Sequence, residues 1–125
     1  MTPADIWSYA ESLPNVQPTF PFDKTTLVLK IAHLKLFCII PLDAAEHTPQ
    51  MALKFPSKDL EELRSQHACL FQASHLHSAH WSAVALDGSE KPTQLQRWIR
   101  QSYNLVLAGM TKNQRETHSL TPLEL

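Results

Sequence analysis

The sequence predicts an α+β domain, an antiparallel sheet of about four strands with helices packed on one face. Three observations carry this expectation. Apolar residues fall at helical spacing near both ends of the chain, and they alternate with polar ones in between. The links between the first strands are also too short for a parallel crossover. The expected order is helix-strand-strand-strand-helix-strand-helix. With 125 residues, no internal repeat and no linker, residues 1–125 read as a single domain.

Thr2-Pro3-Ala4-Asp5 opens the first helix with a hydroxyl cap, a proline in the first turn and an acid three residues after the cap. Ile6, Tyr9, Ala10 and Leu13 form its apolar stripe, and Pro14 stops it. Pro14, Pro18 and Pro21 make residues 14–22 an extended connector. From Thr25 the period becomes two, with Leu27, Leu29 and Ile31 on one face and Thr26, Val28 and Lys30 on the other. His33-Leu34 breaks this strand, and Lys35–Leu42, apolar on both faces, reads as a central one. The break suits a hairpin, although neither residue readily takes the positive φ of a tight turn. Asp43–Pro49 is a polar loop, after which Met51, Leu53 and Phe55 alternate as a third strand.

Ser57 is the expected cap of a helix to about His67, with Leu60 and Leu63 inward and Asp59, Glu61 and Glu62 near its positive end. Residues 68–80 show no period and read as a histidine-rich loop. Trp81–Leu86 is the fourth strand, ended by Asp87-Gly88. Pro92 starts the longest helix, which runs to Ala108 with Gly109 as its cap. Its predicted buried stripe is Leu95, Trp98, Ile99, Ser102, Leu105 and Val106. Thr111 and Gln114 resemble a second capping box before a short last helix, and residues 118–125 are expected to fray.

Hydrophobic residues at 43% and charged residues at 18% describe a globular chain rather than a disordered one. A net charge of -1 is unlike a dedicated nucleic-acid-binding domain, whose pI usually exceeds ~9. No apolar run approaches the ~18 residues of a membrane span, so no membrane partner is expected. The N-terminus reads as a helix start rather than a signal peptide. Cys38 and Cys69 stand in neither metal nor redox spacing and read as two reduced thiols in a cytoplasm. Only 2 glycines leave no phosphate-cradling loop, so neither a nucleotide nor another cofactor is expected.

The most unusual local feature is His75-x-His77-x-x-His80, preceded by Cys69. Imidazoles and a thiolate are good ligands for zinc or nickel, but this spacing matches no finger or HExxH arrangement. The simpler reading is a loop whose histidines bond backbone carbonyls, with no metal site. Cys38 lies in the most apolar strand and reads as an inert thiol, while Cys69 has His67 and His75 nearby in sequence with nothing to orient them. The acids at the start of the second helix satisfy its dipole. No enzyme signature emerges. Charge is nonetheless uneven: Lys24, Lys30 and Lys35 occur in an acid-free segment, as do Lys91, Arg97, Arg100, Lys112 and Arg115. Arg97 and Arg100 fall opposite the long helix's apolar stripe, where they can meet phosphates.

His75-Leu76, His80-Trp81-Ser82, Val84-x-Leu86-Asp87-Gly88-Ser89 and Ser102-Tyr103-x-x-Val106 together resemble the MmcQ/YjbR family. Ala52-Leu53-Lys54 before the Leu-Glu-Glu-Leu helix, and Pro21-Phe22 after the first helix, resemble it too. The chain departs from the family pattern at His77-Ser78, usually Asn-Lys, and at His33-Leu34, often marked by a glycine. The resemblance implies a fold similar to CyaY and to type III secretion chaperones. It also implies a small bacterial cytoplasmic protein that binds DNA through a double wing of hairpins. Lys24, Lys30 and Lys35 suit one wing, whereas Asp43 and Glu46 give the second hairpin loop the wrong sign for phosphates.

The leading expectation is therefore a non-enzymatic cytoplasmic protein with weak, mainly electrostatic DNA binding through Lys30, Lys35, Arg97 and Arg100. The alternative is a protein- or peptide-binding module with a cleft near His75, His80, Trp81 and Tyr103. A third is a metal or small-molecule site in the histidine loop. Trp81 itself is expected to be buried against Trp98, Ser102 and Tyr103, as large aromatics mostly are.

Overall fold

The computed structural model describes residues 1–43, 48–73 and 76–125. Glu46 and His75, both singled out above, lie outside the described residues. The capping box at the N-terminus forms as the sequence predicts. Thr2 N donates to Asp5 Oδ2 at 2.8 Å and Asp5 N donates to Thr2 Oγ1 at 3.1 Å, starting α1 (Pro3–Glu11).

Among the described residues six strands rather than four build one antiparallel sheet, in the order β1-β2-β3-β4-β6-β5. They are β1 (Val16–Thr19), β2 (Thr26–Ile31), β3 (Lys35–Pro41), β4 (Gln50–Lys54), β5 (Leu70–Phe71) and β6 (Trp81–Ala85). The two unpredicted strands are the edges. Pro18 sits in β1, where an edge position leaves its missing N–H harmless, so the proline-rich segment pairs instead of merely connecting. The strand β5 has 2 residues, too few to show a period, and its Phe71 carbonyl also accepts from the Ser82 hydroxyl at 3.0 Å.

The hairpin between β2 and β3 turns at Ala32 and His33, with φ of 52° and 57°, one residue earlier than the predicted break. Left-handed backbone costs an L-residue roughly 1–2 kcal/mol. Strand β1 and the residue before it offset this: Ala32 N donates to Asn15 O at 2.8 Å and His33 N donates to Gln17 Oε1 at 2.8 Å.

Between β4 and β5, α2 (Ser57–Gln66) starts with Pro56 in the cap position, and the Ser57 hydroxyl makes no capping bond. The long helix α3 (Pro92–Ala108) lies across β3 and β4, burying Leu95, Trp98, Ile99, Ser102, Tyr103, Val106 and Leu107. Leu105 is only half-buried, while Tyr103 is drawn inside because α1 covers that flank. The Tyr103 hydroxyl donates to Pro14 O at 2.6 Å and its ring meets Phe37 edge-on at 5.4 Å. After α4 (Lys112–Thr117) the last residues return along α3 instead of fraying. Asn104 Nδ2 donates to Leu123 O and accepts on Oδ1 from Leu123 N, both at 2.8 Å, and Leu120 is buried.

The main core lies between the helices and one sheet face, where Ile6, Leu27, Phe37, Ile40, Met51, Leu53, Phe55 and Ile99 are essentially inaccessible. A small cluster of Val28, Ile39 and Ala52, flanked by Leu36, Ala73 and Leu76, covers part of the other face.

Two buried serines, Ser82 and Ser102, interrupt the apolar interior among the described residues, and Ser102 links two strands. Ser102 Oγ donates to Phe37 O at 2.6 Å and accepts from Lys54 N at 2.9 Å. The registers Cys38↔Leu53 and Ile39↔Ala52 make Phe37 and Lys54 the next ladder pair, and the hydroxyl takes the place of their direct bond. An extra residue in β3 opposite Leu29/Lys30 forms a bulge at the same point, as bulges do where pairing must end.

Removing the hydroxyl leaves a backbone donor and an acceptor in the interior without partners. Ser102→Ala is accordingly expected to cost about 2–4 kcal/mol in a urea titration. A loss below about 1 kcal/mol would contradict this role. Burial pushes the Cys38 thiol up to about 12. In a Cys69→Ser background Cys38 should therefore resist alkylation at about pH 9 until the protein is unfolded, and rapid native labelling would count against it.

Candidate functional site

Beyond the Ser102 wedge β3 and β4 no longer pair, and their ends part around a groove of about 350 Å³. The β2–β3 hairpin lines it with Lys30, Leu34, Lys35 and Leu36. Lys54 and its register partner Trp81 line the opposite side, and α3 contributes Val106 and Gly109. No carboxylate belongs to this lining, and among the described residues none of the three lysines has an acid within ion-pair distance. The field in the groove is therefore positive, although the chain carries a net charge of -1.

Trp81 is half-buried, not enclosed as the sequence predicts. It opens its strand at the end where β4 and β3 separate, so its ring packs on the core edge and also walls the groove. Its backbone is fixed on both sides: Trp81 N donates to His77 O at 2.9 Å and Arg64 donates to Trp81 O at 3.0 Å. The same guanidinium donates to Ser78 O at 3.0 Å, binding the histidine-rich segment to α2.

The other predicted cleft residues do not gather here. Tyr103 is fully buried in the core, and His80 is exposed outside the groove lining, its ring 4.9 Å from that of His77. Among the described residues no three potential metal ligands come together. His67 faces Glu90 and the edge of Trp98 instead of activating Cys69. Burial first, then the negative charge of nearby Glu90, push the Cys69 thiol pKa up, which disfavours a thiolate nucleophile.

The basic residues also divide. Lys30 and Lys35 share the groove, but Arg97 lines a separate depression of about 330 Å³ between α2 and α3, together with Asp59 and Glu62. Arg100 is a structural tie: its Nε donates to Glu124 O at 3.0 Å and another guanidinium nitrogen donates to Tyr9 Oη at 2.6 Å. The helical wheel rightly places both arginines away from the sheet, but cannot show that α1 and the C-terminal tail fold over one of them. Lys54 is the groove residue that the sequence reading missed. Its signal is a cross-strand pairing with Trp81, invisible until register is known.

The chain has known relatives in sequence and fold. The family model described as YjbR matches residues 11–105. The uncharacterised protein YjbR of Escherichia coli K12 is 28% identical over 116 residues, spanning 93% of this chain and 96% of that protein. A crystal structure from Deinococcus radiodurans with a DUF419 domain superposes with a TM-score of 0.87 at 32% identity, covering 98% of this chain and 91% of that one. A Pseudomonas syringae protein shares the fold at a TM-score of 0.74 and 19% identity, over 85% of this chain and 99% of its own. The family model's match across residues 11–105, well over half of the chain, shows that the chain belongs to the YjbR family.

Proposed function

We propose that this chain is a non-enzymatic, cytoplasmic nucleic-acid-binding protein that grips phosphates weakly through the groove beside Trp81. The observation that carries this reading is the convergence of Lys30, Lys35 and Lys54 on one groove with no acid in its lining. The lysines reach the groove from three different strands, β2, β3 and β4, so the charge is assembled by the fold and not by a basic run in sequence. Arg97 and Arg100 leave the contact set, because one sits among acids and the other holds the C-terminal tail. No helix among the described residues is long and apolar enough to cross a membrane. Leu34, Leu36 and Val106 in the same lining favour a second reading, an acidic peptide that buries a small apolar side chain there.

Fluorescence anisotropy with short labelled DNA, offered both as duplex and as single strand, tests the reading. Three phosphate contacts should give a slope of log affinity against log salt of about -2 to -3. Lys54→Ala should flatten that slope by about 0.7–0.9, whereas Arg97→Ala should leave it unchanged. Absence of binding to both forms at low salt, or equal affinity after all three lysines are replaced by alanine, would sink the proposal.

A further inference from the structure

The chemistry of the groove separates one form of nucleic acid from another. A duplex presents phosphates in two long rows and keeps its base faces stacked, leaving only base edges to be read. To follow those rows a protein needs basic groups spread over a wide surface. Here Arg97 lies in the other depression, Arg100 is tied to Tyr9 and Glu124, and Asp43 stands at the start of the second hairpin's loop. Of the four basic residues that the sequence offers for phosphates, only Lys30 and Lys35 come together, and they share with Lys54 one compact groove that has a tryptophan in its wall.

A volume of about 350 Å³ lies near the lower end of the roughly 300–1,000 Å³ of small-ligand sites, enough for one base and its sugar. Unpaired bases stack on aromatic side chains while the adjoining phosphates meet lysines, and every base has a face to offer. Trp81 is suited to that task because its backbone is anchored and its side chain packs against the core while lining the groove. Arg64 and His77 hold its backbone from opposite sides, and the core packs against part of its ring. We infer that the groove takes single-stranded nucleic acid, seating an unpaired base against the Trp81 indole while Lys30, Lys35 and Lys54 meet the flanking phosphates. This inference rests on the nucleic-acid reading above and deepens it.

The test uses the full chain and three labelled probes of about 12 nucleotides: an oligothymidylate, a duplex, and an abasic strand with the same phosphates. The oligothymidylate should bind at least roughly fivefold tighter than either of the others, the lower limit of what one stacked base contributes. Trp81→Phe should keep that preference. Trp81→Leu, which retains apolar bulk for folding, should abolish it while the salt slope of the remaining binding persists. Equal binding of the abasic strand, or a preference for duplex, overturns the inference and leaves electrostatic binding standing. Failure of all three probes to bind, or tighter binding of a glutamate-rich peptide of similar length, overturns both.

Discussion

The Ser102 hydroxyl stands between two strands that would otherwise close on each other. It donates to Phe37 O and accepts from Lys54 N, so each strand keeps its hydrogen bond while the direct ladder is broken. A serine can do this because its hydroxyl both donates and accepts. The consequences spread outward from that point. The helix α3 is pinned across β3 and β4, the bulge in β3 absorbs the mismatch with β2, and the strand ends part beyond the wedge. The groove is what that parting leaves. Its lysines are brought together because the sheet opens there, and Trp81 is half-buried because it begins its strand at the same opening.

Much of the fold was legible because alternation and helical spacing are local properties. The capping boxes at Thr2 and Thr111, the central strand through Cys38, and α3 from Pro92 to its end at Gly109 all follow from residues within a few positions of each other. The edges were not legible. In β1 the prolines dominate the local signal, yet at an edge they cost the ladder nothing. In β5 pairing with β6 supplies what the two residues cannot show alone. The turn at Ala32-His33 is likewise made affordable by Asn15 and Gln17, distant in sequence and adjacent in the sheet.

The site was legible in its ingredients and not in its assembly. Lys30, Lys35 and Trp81 each stand out in the sequence, but for different reasons, and nothing there joins them. Lys54 joins them through its pairing with Trp81, a fact of register. The arginines failed in the opposite way. Their position on the outer face of α3 is read correctly, but Asp59 and Glu62 beside Arg97, and Tyr9 and Glu124 beside Arg100, come from elsewhere in the chain. A charged face read from one helix therefore says little until the elements that fold over it are known.

Backbone amide shifts, followed by NMR while a short single-stranded oligonucleotide is added, test the central claim most directly. The proposed binding surface is the groove made by the Ser102 wedge. Perturbations should concentrate at Lys30, Leu34 to Leu36, Lys54, Trp81, Val106 and Gly109, with Arg97 and Asp59 little affected. Perturbations centred on the depression between α2 and α3, with the groove residues silent, would contradict it.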